Sequence, residues 1–181
     1  EVNTAKGFVM ADGTPVQVER ITQILTYKKI RKNHPDLTKT IVRFNRKNPC
    51  ESFVSDGPNG LGGHMKGLWL GYVHSGMSPN EQMRVRKDFE ETDKPAVLAQ
   101  CGTLDRCWDC VPADSEIVAD NIHSGIIAIQ FNGRITRKDP NKPADFKPKS
   151  FIPVNWVEPS ETQDEALVRT GFERVVNILR S

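Results

Sequence analysis

Apolar residues in this chain come in short bursts, and the spacing within each burst decides the element it predicts. Val18, Ile21 and Leu25 fall on one face of a helix. Thr14-Pro15-Val16-Gln17 supplies the start, with Thr14 as N-cap, Pro15 at the first helical position and Gln17 closing a capping box. Lys28, Lys29, Arg31 and Lys32 crowd the far end, where the carbonyl pole of a helix favours cations. His34-Pro35 stops it, because a residue before proline disfavours the α region. On propensity alone the β-branched Ile21, Thr22 and Ile24 suit a strand as well.

Thr38 to Phe44 reads as a strand, and Pro95 to Ala99 is apolar enough for an inner one. Between them lies a glycine-rich stretch from Asp56 to Gly76, in which Leu68, Trp69, Leu70, Tyr72 and Val73 are expected to be buried. Ser78-Pro79-Asn80-Glu81 repeats the capping-box pattern and predicts a helix to about Glu91, with Met83 and Phe89 inward. Further on, Ile122 to Phe131 and Arg134 to Lys138 flank Asn132-Gly133, the preferred pair for a two-residue hairpin turn. Prolines 140, 143, 148, 153 and 159 punctuate residues 139–159 and predict an extended connection, anchored by Phe151, Ile152, Val154 and Trp156. Ser160 to Gln163 caps a last helix, 160–181, whose Val168, Phe172, Val175 and Leu179 form one apolar stripe for the sheet or for a second copy of the chain. The sum is an α+β expectation: one domain over 1–181, with a mixed, mostly antiparallel sheet and about three helices.

Composition narrows the class. With 181 residues, 37% of them hydrophobic and 27% charged, the chain has enough apolar material for one ordinary core. No apolar run approaches a membrane span, and there is no internal repeat. Four cysteines are too few for a disulfide scaffold, which favours an intracellular setting, cytoplasmic or nuclear. The net charge of +2 hides an asymmetry. Residues 20–47 hold nine basic side chains against Asp36, a local charge of 9 − 1 = +8, so the remainder sums to −6.

Two sets of residues carry candidate chemistry. Cys101, Cys107, Cys110 and His123 offer three thiolates and an imidazole, the donor set of a structural zinc site, with Cys107-Trp108-Asp109-Cys110 as a chelating knuckle. The competing reading is that these are buried, unligated cysteines beside a histidine that leads a strand. Cys107-Trp108 also resembles, over two residues, the nucleophile dipeptide of viral papain-like proteases. That resemblance implies a cysteine hydrolase, and with the donor set above the alternative function is a small zinc- or cysteine-dependent hydrolase centred on Cys107, Cys110 and His123. His64 and His74 precede Cys107, against the order in that family, and read as ordinary surface or core histidines. Gly60-Leu61-Gly62-Gly63-His64-Met65 lacks the last glycine of a dinucleotide loop and the lysine of a phosphate loop, so it reads as flexible or closely packed backbone.

The second set is basic. Lys28, Lys29, Arg31, Lys32, Arg43, Arg46 and Lys47 neutralise phosphates if they share a face, and Arg134, Arg137 and Lys138 with Lys142, Lys147 and Lys149 extend the same surface. The competing reading is a solvated helix end and a charged strand edge. Only Tyr27 and Phe44 interleave with these charges, so contact with nucleic-acid backbone or an anionic membrane fits better than base stacking. Lys94-Pro95-Ala96-Val97-Leu98-Ala99 is similar to a short stretch of vesiculovirus matrix proteins, compact basic α/β proteins that bridge nucleocapsid and membrane. That similarity implies a viral assembly role. The function expected from the sequence is therefore non-enzymatic binding or assembly on phosphate-rich partners.

Overall fold

The structure, a computed structural model, describes residues 8–9, 15–16, 18–102, 112–119, 140–151 and 153, with side chains from residue 20 onward. Two short strands, β1 (Phe8–Val9) and β2 (Pro15–Val16), pair antiparallel ahead of α1 (Val18–Asn33). Pro15 and Val16 thus belong to a strand, and the first helix begins three residues after the expected N1 position. Its inward residues are Ile24, Tyr27 and Ile30. Leu25 lies one residue round the helix from Ile24 and is 53% exposed, so it is not in the core stripe the sequence suggested.

Beyond α1 come β3 (Lys39–Phe44), α2 (Lys47–Phe53), α3 (Leu61–His64), β4 (Trp69–His74), α4 (Pro79–Glu91), β5 (Ala96–Cys101), β6 (Ser115–Val118) and β7 (Lys149–Phe151). These five later strands form one sheet in the order β4-β5-β3-β6-β7, and every pairing in it is parallel. The expectation of a mixed, mostly antiparallel α+β sheet is therefore overturned: this is an α/β fold. The physical reason lies in burial. All six residues of β3 and all six of β5 are buried, because helices cover both faces, and parallel strands need a crossover such as α2–α3 or α4 to return the chain to the same end.

The side chains of β3 and β5 alternate between two cores. Val42, Phe44, Val97, Ala99 and Cys101 pack with Ile117 against α1 and α2, beside Tyr27, Cys50 and Phe53. Ile41, Ala96 and Leu98 pack with Val73 against Phe89 of α4. Lys39 shares the α4 face, and its ammonium donates to the carbonyls of Phe89 (2.6 Å) and Thr92, capping the helix where its dipole is negative. At the start of α4, the Ser78 hydroxyl accepts the Glu81 N–H and the Glu81 carboxylate accepts the Ser78 N–H, the reciprocal box expected. Replacing Ser78 with alanine should cost about 1 kcal/mol in a denaturant titration, the usual worth of such a cap. Phe89 is buried as expected, whereas Met83 is 64% exposed and stands clear of the core.

The proline-punctuated segment is described only from residue 140 to 151 and at 153. It carries Lys142 and Phe146 along the sheet and ends in the edge strand β7. The expected hairpin at Asn132-Gly133 and the helix over 160–181 lie outside the described residues.

Candidate nucleic-acid interface

Because the strands are parallel, their carboxyl ends meet along one rim of the sheet. Asn45, Arg46 and Lys47 follow β3 there, Ser75 and Gly76 follow β4, and Gly102 follows β5; all six are exposed. Gly102 has φ +70°, a left-handed value that glycine adopts without steric cost. The chain leaves β3 toward β4 on one side, while β6 leads to β7 on the other. Among the described strands that divergence falls at the β3/β6 boundary, and open α/β sheets bind ligands beyond their carboxyl ends at such points. Arg46 and Lys47 are exposed cations just past β3, the Lys47 ammonium reaching toward the end of β4, and no acid occupies the first turn of α2.

The floor beneath them is ordered. His74, 8% exposed at the end of β4, has Nε2 2.7 Å from Oε1 of Glu51 on α2. Its Nδ1 accepts the Gly76 N–H at 3.0 Å, and its ring stacks on Tyr72 with centroids 5.6 Å apart. A Cβ on Gly76 would lie 3.1 Å from both His74 Nδ1 and Lys47 Nζ, so the lysine ammonium sits directly over the turn. From the sequence His74 reads as an ordinary histidine, and nothing there singles out Glu51. The missing signal is the strand ending at His74, hidden among glycines.

The other basic residues are dispersed. Lys28, Lys29, Arg31 and Lys32 end α1, which leads through residues 34–38 into the start of β3, at the opposite end of the sheet. A six-residue strand separates that end from Arg46 by about 20 Å. Arg31 donates to the Leu37 and Pro35 carbonyls, Lys28 is half-buried, and Lys29 and Lys32 are exposed. Arg43 is buried on the α4 face, where its charge acts on Glu116. The structure thus does not bring these seven residues onto one surface. Lys142 is held 3.1 Å from Asp114 and Lys149 3.0 Å from His34 Nδ1, while Lys147 is exposed. Arg134, Arg137 and Lys138 lie outside the described residues.

Of the expected zinc donors, Cys107, Cys110 and His123 also lie outside them. Cys101 is buried in the α1/α2 core with Cys50, whose thiol burial pushes up to about 12, with further upward pressure from Cys101 itself. Among the described residues, no group of three or more histidines, cysteines or carboxylates is placed to hold a metal. The glycine stretch is closely packed backbone: a Cβ on Gly60 would strike the Ser55 carbonyl, and one on Gly62 would lie 2.6 Å from Asp56 Oδ1. His64 is tied to the Pro58 carbonyl at 2.8 Å. Lys94 to Ala99 is the lead-in and start of β5, whose apolar composition follows from burial on both faces. No described helix is long and apolar enough to cross a membrane.

No family model matches the chain, and no curated protein matches it. Solved structures do. Dbp5 of S. cerevisiae bound to RNA and ADP BeF3 superposes with a TM-score of 0.60 at 13% identity, over 90% of this chain and 35% of that one. The ATP-dependent Type ISP restriction-modification enzyme LlaBIII bound to DNA gives 0.61 at 20% identity, over 92% of this chain and 12% of that one. Domain 2 of the Mss116p DEAD-box helicase bound to an RNA duplex gives 0.52 at 12% identity, over 92% of this chain and 75% of that one. The fold is accordingly an α/β fold with an all-parallel five-stranded sheet, similar to that of domain 2 of the Mss116p DEAD-box helicase. The chain spans about a third of the Dbp5 chain and about an eighth of LlaBIII.

Proposed function

We propose that this chain is a nucleic-acid-binding domain that grips the phosphate backbone at the carboxyl rim of its sheet, through Arg46 and Lys47. The observation that carries the reading is the pair of exposed cations at the carboxyl rim of a parallel α/β sheet. Support comes from the superposed structures, which hold RNA or DNA.

The test is a salt series of duplex-DNA and single-stranded-RNA affinities. Reversing Arg46 and Lys47 together to glutamate should weaken binding by about 30-fold near 0.15 M salt. The duplex salt slope should fall by about 2, at about 0.9 for each phosphate no longer neutralised. Because such interactions position without specifying, the loss should be alike for all sequences. Reversing Lys29 and Lys32, at the other end of the sheet, should cost less than about threefold. A larger loss from the α1 pair would defeat the assignment. A loss confined to anionic liposomes, with nucleic-acid affinity unchanged, would give the rim to a membrane surface instead.

A further inference from the structure

We propose that His74 is a positioning residue of this interface, one that locks the Ser75–Gly76 turn and the Lys47 ammonium into a single preformed phosphate seat. The inference rests on the rim reading above and deepens it.

The hydrogen-bond pattern fixes the chemistry of the ring. Nδ1 accepts the Gly76 N–H, so it carries no proton; the ring proton is on Nε2 and is donated to Glu51 Oε1 at 2.7 Å. An imidazole in that tautomer clamps two elements at once. One side holds the turn after β4, and the other holds α2.

Lys47 and Glu51 are four residues apart on α2, so they lie on the same face one turn apart. Glu51 binds His74, His74 binds Gly76, and Lys47 Nζ lies over the Cα of Gly76, close enough that a Cβ there would be 3.1 Å away. The path closes on itself: Lys47, helix, Glu51, His74, Gly76 and back to Lys47. Lysine is a flexible point charge whose rotamers must be frozen when it meets a phosphate. Seating it on a turn whose position is already fixed removes part of that cost. A Cβ at position 76 would crowd both the His74 ring and the Lys47 ammonium, each 3.1 Å away, so a side chain there would push the ammonium off the turn.

The experiment is a double-mutant cycle on duplex-DNA and single-stranded-RNA affinity, using the full chain. Lys47→Ala should weaken binding about tenfold in the wild type, and less than about twofold in a His74→Leu background, because the lysine is no longer seated there. Equal losses in the two backgrounds would overturn the inference while leaving the rim reading intact. No loss from Lys47→Ala in the wild type would overturn the rim reading and the inference with it. A chemical comparison separates positioning from mere packing. His74→Asn sets an amide oxygen near the place of Nδ1 and should bind within about threefold of wild type. His74→Gln sets its amide near Nε2, leaves the Gly76 N–H unclaimed and should fall as far as His74→Leu. Equal affinities for the asparagine and glutamine variants would sink the proposal. Should His74→Leu fail to fold, the cycle is run in His74→Gln, with the same expected non-additivity.

Discussion

Replacing Asp114 with alanine is expected to lower the unfolding free energy by about 3–5 kcal/mol, the usual cost of removing one partner from a buried, charged hydrogen-bond cluster. Asp114 is 1% exposed at the start of β6. Its oxygens accept the Thr38 N–H at 2.6 Å, the Lys39 N–H at 3.0 Å, the Thr38 hydroxyl at 3.1 Å and the Lys142 ammonium at 3.1 Å. One carboxylate thus joins the entry to the central strand, its neighbour β6 and the segment leading to β7. Alanine would leave two backbone donors desolvated with no acceptor and strand the Lys142 charge beside them. For a domain of this size the melting midpoint should fall by roughly 10 °C. Lys142→Met should cost only about 1 kcal/mol, because that side chain is 22% exposed and its charge is partly screened. Urea titrations at neutral pH decide the matter. A loss below about 1 kcal/mol for Asp114→Ala would show that the cluster does not tie these strands together.

The second large effect has the opposite sign. Glu116 is fully buried on β6, and burial raises its carboxyl from 4.5 to about 7, with the Ser150 hydroxyl and the Arg43 guanidinium pulling less strongly downward. Its two oxygens have no partner within hydrogen-bond geometry among the described residues, so these influences act without a formed bond. A carboxyl whose pKa is raised on folding leaves the native state most favoured below the unfolded value. That advantage is lost as pH rises from 4.5 through about 7. Glu116→Gln has no proton to lose, so it should stabilise the fold by about 3 kcal/mol at pH 8 and by almost nothing at pH 4, since a tenfold change in proton affinity is worth about 1.4 kcal/mol. Stability measured from pH 4 to 8 should therefore slope downward in the wild type and flatten in the variant. Parallel curves would show that Glu116 ionises as freely folded as unfolded.

What the chain discloses in advance depends on whether a signal is local. The capping box at Ser78 and Glu81 lies within four residues, and α4 begins where it says. The end of α1 at His34-Pro35 is equally local, and Asn33 is its last residue. Strand direction is not local. Lys39 and Arg43 give β3 a half-polar look that suits an antiparallel strand with one wet face. Lys39 in fact spends its charge on the end of α4, and Arg43 is buried. β6 escapes a sequence reading because Ser115 and Glu116 disguise a strand buried along its whole length. α2 escapes it because it is only seven residues long and carries Pro49, although proline is tolerated in a first helical turn. The basic run misleads in another way. Arg31 and Arg46 are fifteen positions apart in sequence, and β3 carries the chain from one end of the sheet to the other between them. The rim itself, with His74, Glu51 and Gly76, can be assembled only after β4 and α2 are placed.

The strand order also sets a schedule for synthesis. β3 sits at the centre, yet its neighbours are β5, which begins 57 residues later at Ala96, and β6, which begins 76 residues later at Ser115. β4 is made before either but pairs only with β5, so β5 must enter between two strands already synthesised. At about 5–20 residues per second, the apolar Ile41-Val42 pair waits several seconds with both hydrogen-bonding edges of its strand unclaimed. Slow translation through residues 45–95 should therefore raise the demand for chaperones on this domain, since a nascent chain halted there has its central strand and no partner for it.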